Sequence, residues 1–264
     1  MTIHIGTSGW HYDHWDGTFY PKELPRRRWI EYYAARFHTV ESNAAFYRLP
    51  KTETFASWAH NSPDDFVMAV KMSRYLTHIK RLAEPAEPVT RFMERVEGLG
   101  AKLGPVLLQL PPTFQVDLDR LDDVLKRLPA SLRVAVEFRH PSWWRDEVRD
   151  CLERHEAALC LADRGSRPIS PLWRTTQWTY VRFHGGTGNP WSCYGRTALE
   201  SWADRIEEGW PEGDVWAYFN NDMNCCALRD ARWFAQACAR RDLDPTRLPP
   251  ARDVSLGSVP GRSS

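Results

Sequence analysis

No stretch of this chain approaches the roughly 18 consecutive apolar residues that a membrane-spanning helix needs, so no membrane contact of that kind is expected anywhere in its 264 residues. The first residues, MTIHIGTSGW, have no basic start leading into an apolar run, and no signal peptide is expected. Charge of one sign is also missing: 35 Lys and Arg face 34 Asp and Glu, for a net charge of +1. That balance excludes a global field that would gather nucleic acid or an anionic bilayer, though not a local basic patch. The six cysteines, Cys151, Cys160, Cys193, Cys225, Cys226 and Cys238, include no CxxC pair. A zinc ribbon is thereby excluded, and unpaired thiols in a reducing, cytoplasmic setting are the expectation. Three catalytic signatures are missing as well. The turn Gly6-Thr7-Ser8-Gly9-Trp10 lacks the GxGxxG spacing, Ser8 has no GxSxG elbow, and no HxH or HExxH could anchor a metal.

What is present is alternation. Short apolar runs at 3–8, 39–43, 66–71, 105–110, 133–139, 158–163, 179–184 and 215–220 are separated mostly by amphipathic stretches, notably 29–37, 89–102, 118–128, 143–155, 197–208 and 227–241. Strand and helix patterns taking turns along a whole chain imply an α/β fold with a parallel sheet. Eight such strands in about 250 residues suggest a single closed (β/α)8 barrel of the TIM type. The sixth unit lacks a helical pattern: 164–177, with Pro168 and Pro171, reads as loop. One domain over 1–243 is expected, followed by a Pro-, Arg-, Gly- and Ser-rich tail, 244–264, expected to be disordered.

Strand side chains alternate between faces. In 133–139, Val134, Val136 and Phe138 form the helix-facing set, which turns Ala135, Glu137 and Arg139 toward the axis. In 179–184, Val181 and Phe183 face out and Tyr180, Arg182 and His184 face in. The same test turns in Glu41, Asn43, Lys71, Gln109, Asp163 and Asn220, with Ser8 on the first strand and Asp222 just past the last. Every strand then offers a polar residue near its C-terminal end, where barrel enzymes carry their sites. An unpaired buried charge costs several kcal/mol, so a core built only for stability would not keep this ring.

An ordered series of motifs accompanies the pattern. It comprises Gly6-Thr7-Ser8-Gly9-Trp10, Glu41-Ser42-Asn43 with Phe46-Tyr47-Arg48, Lys71 with Arg74, Thr77 and His78, and Leu108-Gln109-Leu110-Pro111-Pro112. It continues through Glu137-Phe138-Arg139-His140, Asp163-Arg164, Tyr180, Arg182, His184-Gly185 and Tyr218-Phe219-Asn220-Asn221-Asp222. From about Ile3 to Arg240 this series resembles the YecE-like family, domain of unknown function 72. The resemblance implies a (β/α) barrel and no established reaction. Asn224-Cys225-Cys226-Ala227 departs from it, because family members often carry a glycine before that alanine. By analogy the layout is also similar to the xylose-isomerase-like group, a fold-level link only.

The residues allow three kinds of chemistry. A hydrolase- or isomerase-type enzyme would use Glu41, Glu137, Asp163 and His184 for proton transfer. Ser8, Trp10, Asn43, Lys71, Arg74, His78, Gln109, Arg139, Arg182, Asn220 and Asp222 would bind a phosphorylated, nucleotide or nucleic-acid-related substrate. A divalent metal among the carboxylates is conceivable but disfavoured, because Lys71, Arg139 and Arg182 share the ring and would repel it. A non-catalytic barrel that binds a small anion or nucleic acid is the alternative. A glycan-active enzyme is the third, with Glu41 and Glu137 as its carboxylate pair and some of the thirteen tryptophans as sugar platforms.

Overall fold

A computed structural model describes residues 1–254. Nine strands form one curled, all-parallel sheet: β1 Thr2–Thr7, β2 Thr39–Ser42, β3 Val67–Lys71, β4 Leu103–Gln109, β5 Val134–Glu137, β6 Ala158–Asp163, β7 Thr179–Phe183, β8 Val215–Phe219 and β9 Asp244–Pro245. Their order is β2-β3-β4-β5-β6-β7-β8-β1-β9. The helices are α1 Trp29–Ala34, α2 Ala44–Tyr47, α3 Thr52–His60, α4 Ala86–Val96, α5 Leu118–Arg127, α6 Asp146–Arg154, α7 Arg196–Gly209 and α8 Cys226–Ala239. None is long and apolar enough to cross a membrane.

The local chemistry of α5 shows why these elements form. Asp117 caps its start, accepting from the Arg120 amide at 3.1 Å. Asp119 lies in its first turn and Lys126 and Arg127 in its last, matching the helix dipole. Leu121, Val124 and Leu125 line the buried face. No helix forms between β6 and β7, where Pro168 and Pro171 interrupt the chain. There the segment folds back on β6: Thr175 Oγ1 receives the Leu159 amide at 2.9 Å, and the Ile169 amide donates to Ala162 at 2.8 Å.

The sheet separates two apolar regions. The larger lies between its outer face and the helices. The smaller fills the interior with Ala69, Leu107, Ala135, Ala158 and Cys160 alongside Tyr180, Trp216 and Tyr218. Small side chains on β3 to β6 make room for the three rings from β7 and β8.

The sheet differs from a closed eight-strand ring at one seam. Among the described residues no backbone ladder joins β1 to β2. The strands still come close: a Cβ on Gly6 would lie 2.3 Å from the Thr39 carbonyl, so only glycine fits there. Tyr33 bridges them, its hydroxyl receiving the Thr7 amide at 3.0 Å and donating to the Thr39 carbonyl at 3.2 Å. At the other end of the seam β9 pairs with β1, and the His38 amide donates to Arg247 at 3.3 Å.

Two expectations are corrected here. Residues 244–254, read as part of a disordered tail, are tied down by β9 and by the pairs Arg247–Asp65 and Arg36–Asp253 at 2.8 and 2.9 Å. Residues 255–264 lie outside the described residues. The cysteines are not all unpaired either: Cys193 and Cys226 form a disulfide with Cα atoms 5.1 Å apart, inside the usual bridging range. Their pairing depends on α8 docking against the loop after β7, a contact that no local spacing reports.

Candidate functional site

Register sets the site. Gln109 lies beside Glu137 in the β4–β5 ladder, and Arg182 beside Tyr218 in the β7–β8 ladder. These strands end in polar residues on the face whose earlier positions fill the interior. The result is a charged layer above the small core.

Arg182 is at its centre, fully buried. One end of its guanidinium meets Glu41 at 2.7 Å and the other meets Glu137 at 2.6 Å. Each carboxylate is held from its other oxygen too. Tyr180 Oη donates to Glu41 Oε2 at 2.7 Å. Glu137 Oε1 receives Arg139 Nε at 2.9 Å and lies 2.9 Å from His184 Nε2. His184 Nδ1 faces the Asn220 amide nitrogen at 3.2 Å, so the arrangement suits a proton on Nε2 directed at Glu137.

The electrostatics follow. Burial is the largest single influence and would raise both glutamates, but Arg182 and the other donors and cations around them together outweigh it. With Lys71 and Tyr180 assisting, Glu41 lies below the ordinary range. With His184 and Arg139 assisting, Glu137 lies well below it. Both are constitutive anions, poorly suited to donate a proton. His184 is pushed down by burial against the pull of Glu137, which favours neutral imidazole.

Lys71 differs from its neighbours. It is only 7% exposed, and among the described residues no carboxylate lies within ion-pairing distance of it. Its ammonium instead sits 3.8 Å from the centre of the Phe46 ring. Burial, then the charge of Arg182, lowers it to about 8. His78, packed edge-on against Phe46, is lowered to about 4 by burial and then by Lys71 and Arg74. Ser8 Oγ, Asn43 Oδ1 and Arg182 Nε have no hydrogen-bond partner among the described residues.

Glu41, Lys71, Gln109, Glu137, Arg139, Arg182, His184 and Asn220 thus come together as their strand positions imply. Asn43 reaches across the seam, its amide donating to the Ser8 carbonyl at 3.0 Å. Arg74 is exposed on the loop after β3.

Three predicted residues stand apart. Asp163 faces the helix layer, where Tyr194 Oη and Trp202 Nε1 each donate to it at 2.7 Å. β6 is apolar at every position before Asp163, so no apolar–polar alternation marks which face is which, and the assignment of Asp163 to the ring is corrected. Trp10 is buried edge-on against Trp58 and presents no open stacking face. Asp222 belongs to a separate pair: His14 Nε2 lies 2.8 Å from its Oδ2, and Trp15 Nε1 donates to Oδ1 at 3.0 Å. Burial raises Asp222 to about 6 against the opposing pull of His14. His14, raised first by its hydrogen bond to Asp222, escaped sequence reading because it lies on a loop where strand alternation says nothing. Phe46 escaped too, since its use depends on where Lys71 points.

The carboxylates do not suit a metal. All four oxygens of Glu41 and Glu137 are committed to Arg182, Tyr180, Arg139 and His184. Asp122, Cys151 and His155 converge within 4.8 Å on the outer helix layer. That carboxylate already engages Lys126 and Arg154. Most of the tryptophans serve packing: Trp10, Trp15, Trp29, Trp143, Trp202, Trp210 and Trp216 are buried. A separate groove of about 780 Å³, beside the disulfide, is lined by Thr187, Trp191, Tyr194, Arg229 and Trp233.

Comparison with known proteins places this geometry. The family described as "Protein of unknown function DUF72" matches residues 4–253. UPF0759 protein YecE of Escherichia coli K12 is 33% identical over 144 residues, 53% of either chain. The chain therefore spans about half the length of the curated relatives it matches. A DUF72 family protein from Thermotoga maritima MSB8 superposes with a TM-score of 0.79 at 27% identity, over 89% of this chain and 98% of its own. Another, from Enterococcus faecalis V583, gives 0.78 at 20% identity over 94% and 98%, a likeness of fold alone.

Proposed function

The chain belongs to the DUF72 family, and from that premise we propose that its ring is the active site of a hydrolase- or isomerase-type enzyme for a small phosphate-bearing substrate. In this reading the curled sheet works as a (β/α)8 barrel whose seam is closed by Tyr33, with substrate entering at the strand C-terminal ends. The observation that carries the proposal is the charge left over in the ring. Glu41 and Glu137 are spent on Arg182 and Arg139, while Lys71 has no carboxylate partner and Arg74 stands exposed near it. An incoming phosphate supplies the missing anion. Lys71, Arg139 and Arg74 hold it, and His184 moves protons, its ring oriented by Glu137 and Asn220. Glu41 and Glu137 orient these groups and remain ionised.

The test is thermal stability of the purified chain with inorganic phosphate, sugar phosphates, nucleotides and neutral sugars. A ligand at 100 times its Kd stabilises by about 2.7 kcal/mol, a shift of several degrees at this size. The expectation is a saturable shift with phosphate-bearing ligands that is lost in Lys71→Ala. Protection by neutral sugars alone would favour glycan chemistry. No shift with any phosphate compound would overturn the reading.

A second reading, binding of single-stranded nucleic acid, is favoured by one feature. Tyr47, at the end of α2, and Tyr75, in the helical turn after β3, are 74% and 46% exposed, next to Arg48 and Arg74. Bases stack on such rings while cations follow the backbone. It predicts affinity that falls steeply with salt and with Tyr47→Ala.

A further inference from the structure

We propose that Lys71 is a covalent catalyst whose amine forms an imine with a phosphorylated aldehyde or ketone. The proposal rests on the phosphate-site reading above and adds the substrate's reactive group.

The argument starts from how unevenly the ring treats its charges. Glu41, Arg182, Glu137 and Arg139 form one continuous chain of ion pairs between 2.6 and 2.8 Å. A lysine kept only to hold an anion is best kept fully charged, by a carboxylate or by open water. Lys71 has neither. It is almost wholly buried, with the face of Phe46 at 3.8 Å as its direct contact; burial and Arg182 disfavour the cation by more than the more distant Glu41 and Glu137 favour it. A ring face favours an ammonium by ~0.5–2 kcal/mol, less than an ion pair in the same place. A desolvated amine beside other cations is the environment in which lysine becomes a nucleophile near neutral pH. Arg139 and Arg74 keep permanent charge to share the phosphate, so the amine can also act on the carbonyl of the same substrate.

The step balances without an oxidant or reductant. The Nζ lone pair adds to the carbonyl carbon, forming the C–N bond and moving the C=O π electrons onto oxygen. That oxygen gathers two protons, one lost by nitrogen and one passed through His184 or solvent, and leaves as water. The resulting iminium draws electrons from the neighbouring carbon, so a proton there becomes removable. That is the activation an isomerase-type reaction on a phosphorylated carbonyl compound needs.

The experiment treats the full-length chain with glycolaldehyde phosphate and sodium cyanoborohydride, which freezes an imine as a stable secondary amine. Intact mass and peptide mapping then locate it. Lys71 is expected to be labelled about tenfold or more faster than exposed Lys51, because its amine is the more deprotonated. Labelling should rise roughly 20-fold from pH 6.5 to 8.5, following an amine that titrates near 8. Inorganic phosphate should slow it. Lys71→Arg keeps the charge and should lose the adduct while still being stabilised by phosphate. Phosphate stabilisation without an adduct at Lys71 would overturn the imine and leave the phosphate site standing. Neither stabilisation nor adduct would remove both, and labelling spread over surface lysines with Lys71 spared would overturn the imine directly.

Discussion

Glu137 and Asp163 sit at the ends of neighbouring strands, equally buried, and are handled in opposite ways. Asp163 faces the helices and is held by two neutral donors, Tyr194 and Trp202. Glu137 faces the axis and is held by Arg182, Arg139 and His184. The outward carboxylates are satisfied by donors of their own layer: Tyr194 also donates its amide to Asp230, which takes Asn221 and Arg229 as well. The inward cluster does not close, because it ends at Lys71 with a cation to spare. Carboxylates satisfied by fixed donors read as architecture, and a buried cation with no carboxylate partner among the described residues reads as a place for a ligand.

The strongest way to break this contrast is Arg182→Met. Two buried carboxylates would lose their common partner, and breaking such a pair costs about 3–5 kcal/mol. Urea unfolding should show a loss of that size, with partial recovery when Glu41→Gln and Glu137→Gln are added. A loss under about 1 kcal/mol would mean the clamp is far more hydrated than its burial implies. On the outer face, Trp202→Phe strands one oxygen of Asp163 and should cost ~1–3 kcal/mol, with phosphate stabilisation unchanged. If ligand response falls as well, the two faces are coupled and the division fails.

Acid titration sharpens the comparison through Asp222. Its carboxyl is raised to about 6, so its contribution to stability is present below its ordinary value near 3.8 and is lost as pH rises through about 6. Asp222→Asn should therefore stabilise the protein by about 1–3 kcal/mol at pH 7.5 and by little at pH 4. Glu137 has the opposite sign: its folded value is depressed, so its contribution is present above 4.5 and is lost as pH falls. Equal effects of Asp222→Asn at both pH values would rule out the burial penalty assigned to that carboxyl. The smallest change is expected for Lys71→Met. Removing a poorly compensated ammonium should alter stability by less than about 1 kcal/mol while abolishing the phosphate response.

How much of this was legible in the sequence depended on whether a strand had one polar face. β5, Val-Ala-Val-Glu, and β7, Thr-Tyr-Val-Arg-Phe, alternate clearly, so Glu137 and Arg182 could be turned inward by counting. β6, Ala-Leu-Cys-Leu-Ala-Asp, is apolar on both faces until its last residue and offers no such contrast, so the sequence does not show that Asp163 faces the helices. The segment 244–254 carries few apolar residues and reads as unfolded, yet Leu248 packs on the core and two arginines pair across to distant aspartates. Pairings of that kind, like Cys193 with Cys226, exist only once the fold has brought them together. His14 belongs with them, and so does the fact that Lys71 has no carboxylate partner among the described residues.

The seam between β1 and β2 has a consequence for how the molecule comes apart. Elsewhere adjacent strands share repeated amide bonds, so exchanging one amide with solvent requires opening its neighbours. Between β1 and β2 the span is carried by the Tyr33 phenol, the Asn43 amide and the segment beginning at β9, with no ladder among the described residues, so local opening there releases few bonds. Deuterium exchange should enter the sheet along that line, at Thr7 and the start of β2, before it reaches β4 or β5. The line ends at Ser8 and Asn43, beside the ring, which makes the first part of the sheet to loosen a wall of the site itself.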